Sequence, residues 1–122
     1  MTAASGTSRW PTELRLKRAE RRLEITFDDG TAFSLPAEYL RVESPSAEVQ
    51  GHGPGQKQTV GGKAQVGIER IEPVGNYAVR LIFDDRHDTG IYSWTYLHQL
   101  GREQRERWAR YLENLAQAGL TR

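Results

Sequence analysis

No cysteine occurs among the 122 residues. That absence excludes disulfides, thiol nucleophiles, thiolate-bound zinc and the usual attachment of an iron–sulfur cluster. Long apolar runs are missing too: nothing approaches the roughly 20 consecutive apolar residues of a membrane-spanning helix. Charge of one sign is also absent, since 17 basic side chains face 16 acidic ones for a net +1. No overall field exists to attract nucleic acid or a membrane surface, so neither is expected as a partner. The first residues, MTAASGTSRWP, lack the apolar stretch of a secretion signal, which makes a disordered tail over 1–10 and a cytoplasmic location the expectations.

Catalytic signatures are equally sparse. The three histidines stand in the wrong company for a non-haem iron oxygenase: His52 precedes Gly-Pro, His87 precedes Asp-Thr and His98 precedes Gln-Leu, so no His-x-Asp occurs. GHGPGQ has the glycine content of a phosphate-cradling loop but lacks the Lys-Ser/Thr that grips phosphate and magnesium. No Ser-His-Asp set can be argued from spacing. The expectation is a protein that is not an enzyme.

What is present is a pattern that occurs twice. ITFDDGTAFSLPAEYL (25–40) and LIFDDRHDTGIYSWTYL (81–97) both read strand, FDD, turn, strand, then a short segment ending in Tyr-Leu. Phe27 aligns with Phe83 and Tyr39 with Tyr96 after one inserted residue. Two copies are too few for a solenoid and imply two hairpins used equivalently. In the first hairpin a three-residue loop, Asp28-Asp29-Gly30, sets Ile25 opposite Phe33 and Leu23 opposite Leu35. That register gathers the apolar side chains on one face and gives Gly30 the left-handed position.

Upstream, residues 13–18 read as a strand joined through a charged turn at 19–21 to the strand that starts at Arg22. Two further strands meet around Pro73–Asn76, the second with Tyr77, Val79, Leu81 and Phe83 on one core face. Ser93 can cap a short helix that Gly101 would end. From Arg102, Trp108, Tyr111, Leu112 and Leu115 recur at helical spacing until Gly119. The fold expected is α+β: a small antiparallel β-sheet domain built from hairpins over 11–101, with short helices and a longer amphipathic C-terminal helix over 102–122. The basic residues 15–22 and the arginines 102, 105, 107 and 110 alternate with glutamates and read as solvated faces.

Between the two patterns lies SPSAEVQGHGPGQ. Ser44 reads as an N-cap with Pro45 at the first helical position, Glu48 near the positive end of the dipole and Gly51 as the stop. Residues 52–63 have no periodicity, and a dozen irregular residues in a compact domain are usually functional or disordered.

LRVESPSAEVQGHGPGQ, VGNYAVRLIFDD and HDTGIYSWTYLHQLG closely resemble the gamma-butyrobetaine hydroxylase-like N-terminal domain family, formerly domain of unknown function 971. The resemblance spans about residues 12–101. It implies one of three contexts, of which the stand-alone bacterial form, the one expected here, has no assigned role. In some relatives the domain precedes an iron- and 2-oxoglutarate-dependent oxygenase, and in others it is appended to a P-loop ATPase of iron–sulfur cluster assembly. In the oxygenase relatives three cysteines and a histidine hold structural zinc. The histidine matches His87, and the cysteines fall near Ser44, Ser46 and Glu48, where hydroxyls are poor replacements for thiolate. The resemblance also implies a glycine before that histidine, where Arg86 stands.

Two expectations follow. In the first, the chain docks a protein partner, with an iron–sulfur cluster carrier ATPase the candidate. Ser44, Pro45, Glu48, His52, Gly53, Pro54, Gly55 and Trp94 form the surface, and no cofactor is needed. In the second, zinc or iron is held by His87 and His52.

Overall fold

The structure, a computed structural model, describes residues 10–51 and 57–122, without the side chain of Glu48. The expected tail therefore lies outside the described residues, except for Trp10. The chain forms β1 (Pro11–Lys17), β2 (Arg22–Phe27), β3 (Ala32–Pro36), α1 (Ala37–Val42), α2 (Ala47–Gln50), β4 (Ile68–Val74), β5 (Ala78–Phe83), β6 (Ile91–Ser93), α3 (Trp94–Arg102) and α4 (Gln104–Ala118). Strands β1-β2-β3 make one antiparallel sheet and β4-β5-β6 a second. The fold is α+β.

The first hairpin has the expected register, with Ile25 opposite Phe33 and Leu23 opposite Leu35. Alternation then points Leu23, Ile25 and Phe27 into the core, where each is at most 1% exposed. The duplication seen in the sequence extends to the backbone. Phe27 N–H donates to Thr31 O at 2.8 Å and Phe83 N–H to His87 O at 3.0 Å. Asp29 Oδ1 accepts the Thr31 N–H at 3.0 Å, and Asp85 Oδ1 accepts the His87 N–H at 3.1 Å. Gly30 and Arg86 hold the same left-handed turn position, with φ of +87° and +73°. Even the register shift recurs, between Pro11 and Glu13 and between Ile68 and Arg70.

The two β-β-β-α halves grip each other reciprocally. Tyr39 of α1 donates to Leu100 O in α3 at 2.7 Å, and Tyr96 of α3 donates to Glu43 O at the end of α1 at 2.6 Å. Asp29 of the first turn meets His98 of α3 at 3.0 Å, and Asp85 of the second turn meets Arg41 of α1 at 2.8 Å. The core between them includes Leu40 and Leu97, both fully buried. A second cluster, Val42, Tyr111 and Leu115 with Trp108 and Val60 against it, docks α4.

Four local expectations need correction. Gly101 does not end α3, which runs through it to Arg102. An added Cβ there would lie 2.4 Å from the Phe33 ring, so the glycine is a contact surface. The β4–β5 turn starts at Gly75: Pro73 and Val74 still pair with Val79 and Ala78, as an edge strand permits. Strand β5 is buried on both faces at Ala78 and Ile82 as well as Val79, Leu81 and Phe83, while Tyr77 in the turn is 56% exposed. Leu112, expected on the packed face of α4, is exposed. Ser93 does cap α3, accepting the Tyr96 N–H at 3.1 Å. Gly119 ends α4 at φ +70°, with the Leu120 N–H returning to Leu115 O.

Candidate functional site

The halves stop matching after their helices. Chain leaving α3 passes through Glu103 straight into α4, whereas chain leaving α1 departs on the excursion 43–67. Its first turn is pulled inward. Ser44 is fully buried, and its Oγ lies 2.9 Å from His87 Nε2 and accepts the Ser46 N–H at 3.3 Å. Ser46 Oγ lies 3.3 Å from the same nitrogen. Gly90 makes room, since a Cβ on it would sit 2.6 Å from Ser44 Oγ. With Ser44 so engaged, the helix starts later than expected: α2 begins at Ala47 with Ser46 as N-cap, and Ser44-Pro45 are not its start. Gly51 does stop it, at φ +75°.

Part-buried polar contacts hold the rest of the excursion. Asp85 Oδ2 receives Arg41 Nε at 2.8 Å and Lys63 Nζ at 2.6 Å. Burial raises the Asp85 carboxyl, but the hydrogen bonds from Lys63 and Arg41 outweigh it and hold the group below its ordinary value. Glu43, 3% exposed, receives Lys57 Nζ and Arg107 Nη1 on one oxygen, each at 2.8 Å. The base of the excursion closes where Gln58 N–H donates to Val49 O at 2.6 Å. Its far flank is clamped by α4 and the residues after it: Tyr111 donates to Val60 O at 2.7 Å, and Gly62 N–H to Thr121 O at 2.8 Å. Burial, reinforced by Glu43, pushes the Tyr96 hydroxyl up to about 12, and burial with Glu38 does the same to Tyr111.

A family model described as gamma-butyrobetaine hydroxylase-like, N-terminal, matches residues 14–98. The chain belongs to that family. No curated protein matches it in sequence. Among solved structures, an NMR solution structure is 51% identical, covers all of this chain and 90% of its own, and superposes with a TM-score of 0.82. A second NMR structure is 45% identical over 93% of this chain and 90% of its own, also at 0.82. A crystal structure of a DUF971-family protein of unknown function from Acidithiobacillus ferrooxidans is 41% identical over 75% of this chain and 91% of its own, with a TM-score of 0.63.

For this member of the gamma-butyrobetaine hydroxylase-like N-terminal family, the zinc implied by the resemblance is judged on its donors. Ser44, Ser46 and His87 do converge, as the matching positions require. These three do not by themselves fit zinc: two neutral hydroxyls and one imidazole supply no anionic ligand, and the Glu48 side chain lies outside the described residues. Ser44 Oγ, at 2.9 Å from His87 Nε2, is also closer than the roughly 3.3 Å edge of a zinc tetrahedron with bonds near 2 Å. Among the described residues no group of three or more His, Asp or Glu could hold a metal.

Of the remaining expected site residues, Pro45 and Trp94 are the ones whose side chains are described. His52, Gly53, Pro54 and Gly55 lie outside the described residues, as does the Glu48 side chain, so the pairing of His52 with His87 and the loop surface do too. Pro45 is half-buried beside the serine cluster. Trp94 packs on the main core and donates its indole N–H to Asn76 O at 2.9 Å, which ties it to the β4–β5 turn. Sequence reasoning missed Glu43, Lys57 and Arg107. The arginine was read as solvated because it alternates with glutamates, yet its side chain is only 18% exposed. Its spacing of four from Glu103 was the available signal.

Proposed function

We propose that the protein is a cytoplasmic, non-enzymatic accessory domain that docks a protein partner through the excursion 44–62 and the neighbouring β5–β6 turn. The observation that carries this reading is the way the excursion is held. It has no counterpart in the other half, yet its two flanks are fastened to the end of α1, the β5–β6 turn and α4 by buried and part-buried polar contacts. A segment that only connected two halves would need no such fastening. The contacts of Ser44 and Ser46 with His87 are sealed from substrate, with Ser44 fully buried and Ser46 and His87 8% and 4% exposed, which favours binding over catalysis. Among the described residues no helix is long and apolar enough to cross a membrane.

Family analogy points to iron–sulfur cluster maturation, with a carrier ATPase as the partner. Without cysteine the domain would act there by positioning and recognition. The test is affinity purification from the native host, with wild type beside a chain substituted at Gly53 and Pro54. A partner recovered by the wild type and lost by the variant is expected. Equal recovery by both would remove the loop from the proposal.

A further inference from the structure

A cavity of about 80 Å³ lies between the far flank of the excursion and α4, walled in part by Glu43, Lys57, Thr59, Arg107, Arg110 and Asn114. One water needs roughly 10–15 Å³, so this space suits a group of several heavy atoms. Its charges are unbalanced. Lys57 and Arg107 both lean on Glu43, and Arg107 also reaches Glu103 at 2.9 Å. Arg110, also in the wall, is exposed and takes no part in that pairing. Three cations thus share the wall with one carboxylate, Glu43, and Glu103 neutralises Arg107 from outside the lining, which leaves a surplus of one positive charge. A dianion would overshoot that surplus and meet Glu43 in the wall, whereas a monoanion matches it. The planar fork of an arginine and a hydroxyl and an amide nearby are the donors that a carboxylate takes up.

We propose that this cavity binds a single carboxylate, gripped by Arg110 and Lys57 with Thr59 and Asn114 beside them. The carboxylate belongs either to an acidic side chain of a docked protein or to a free small acid; only the first source rests on the docking reading above. The test uses the full chain labelled with nitrogen-15, titrated with acetate, with glutamate blocked at both backbone ends, with phosphate, and with chloride at matched ionic strength. Acetate and blocked glutamate should produce saturable shifts at the Thr59 and Asn114 amides and at the Arg107 and Arg110 side-chain N–H signals. Arg110→Gln should weaken that binding about tenfold, the loss of one charge-assisted contact, while the rest of the spectrum stays folded. Lys57→Gln is the second variant. Shifts that chloride reproduces, or that neither substitution weakens, would overturn the site. Tighter saturation by phosphate than by acetate would overturn the carboxylate assignment.

Partner recovery separates the two sources. A partner lost on Arg110→Gln assigns the carboxylate to that protein, and one kept by the variant assigns it to a free acid. Saturation by acetate with no partner recovered would sink docking and keep the pocket. A partner recovered without saturation would do the reverse.

Discussion

Arg86 holds φ at +73° in the turn where its counterpart Gly30 sits at +87°. An L-residue in the left-handed region costs about 1–2 kcal/mol, because its Cβ crowds the following carbonyl. Glycine escapes that cost but loses more freedom on folding, about 0.5–1 kcal/mol. Arg86 is exposed, so little packing offsets the strain. Arg86→Gly should therefore stabilise the protein by about 0.5–1 kcal/mol, seen as a higher denaturation midpoint at unchanged slope. A lower midpoint would mean that the arginine side chain holds something its exposure does not suggest. The same turn sets the limits of sequence reading. Gly30 was legible as a left-handed residue because the loop length and the apolar register agreed on it. The Ser44–His87 contact joins residues 43 apart and has no local periodicity to announce it. Only the resemblance brought those two positions together.

Helix α3 carries its glycine at a place where alanine would be the better helix former by about 1 kcal/mol. The Phe33 ring decides otherwise, since a Cβ on Gly101 would meet it at 2.4 Å. Gly101→Ala should destabilise the wild type by about 1–3 kcal/mol net, the usual range for overpacking. In a Phe33→Ala background the same change should turn stabilising, because the ring is gone and the helix preference remains. A penalty that persists without Phe33 would refute the contact as its cause, and a double-mutant cycle by urea unfolding measures it. Sequence alone could not separate the two uses of this glycine, because a helix stop and a close approach both call for a missing side chain. Strands were easier to place. Period-two alternation located β2 and β3 closely, while β5 misled because its other face is covered too.

Across the whole molecule, each half presents an aspartate at its turn to a basic side chain on the helix of the other: Asp29 to His98, and Asp85 to Arg41. The repeated FDD was visible in the sequence, but the exchange between halves was not, because it depends on how the two sheets face each other. The second pair also takes Lys63, so Asp85 ties α1, the β5–β6 turn and the far end of the excursion at one carboxylate. Its folded pKa is held below the ordinary value. The tie therefore contributes fully above about pH 4, the ordinary aspartate value, and is lost as pH falls through the lower folded value. Asp85→Asn should cost about 2 kcal/mol at neutral pH, less than a fully buried pair because the carboxylate is partly exposed. That difference should shrink as acid protonates the wild type, so the two unfolding curves converge below about pH 4. Tyr111→Phe tests the opposite clamp. It removes one hydrogen bond, worth about 1 kcal/mol, and should speed amide exchange at Gly62 more than in β2. If Asp85→Asn instead stays a constant amount less stable at every pH, its carboxylate charge is not what fastens the excursion. The flanks would then owe their order to Tyr111, the Glu43 pairs and the serine cluster.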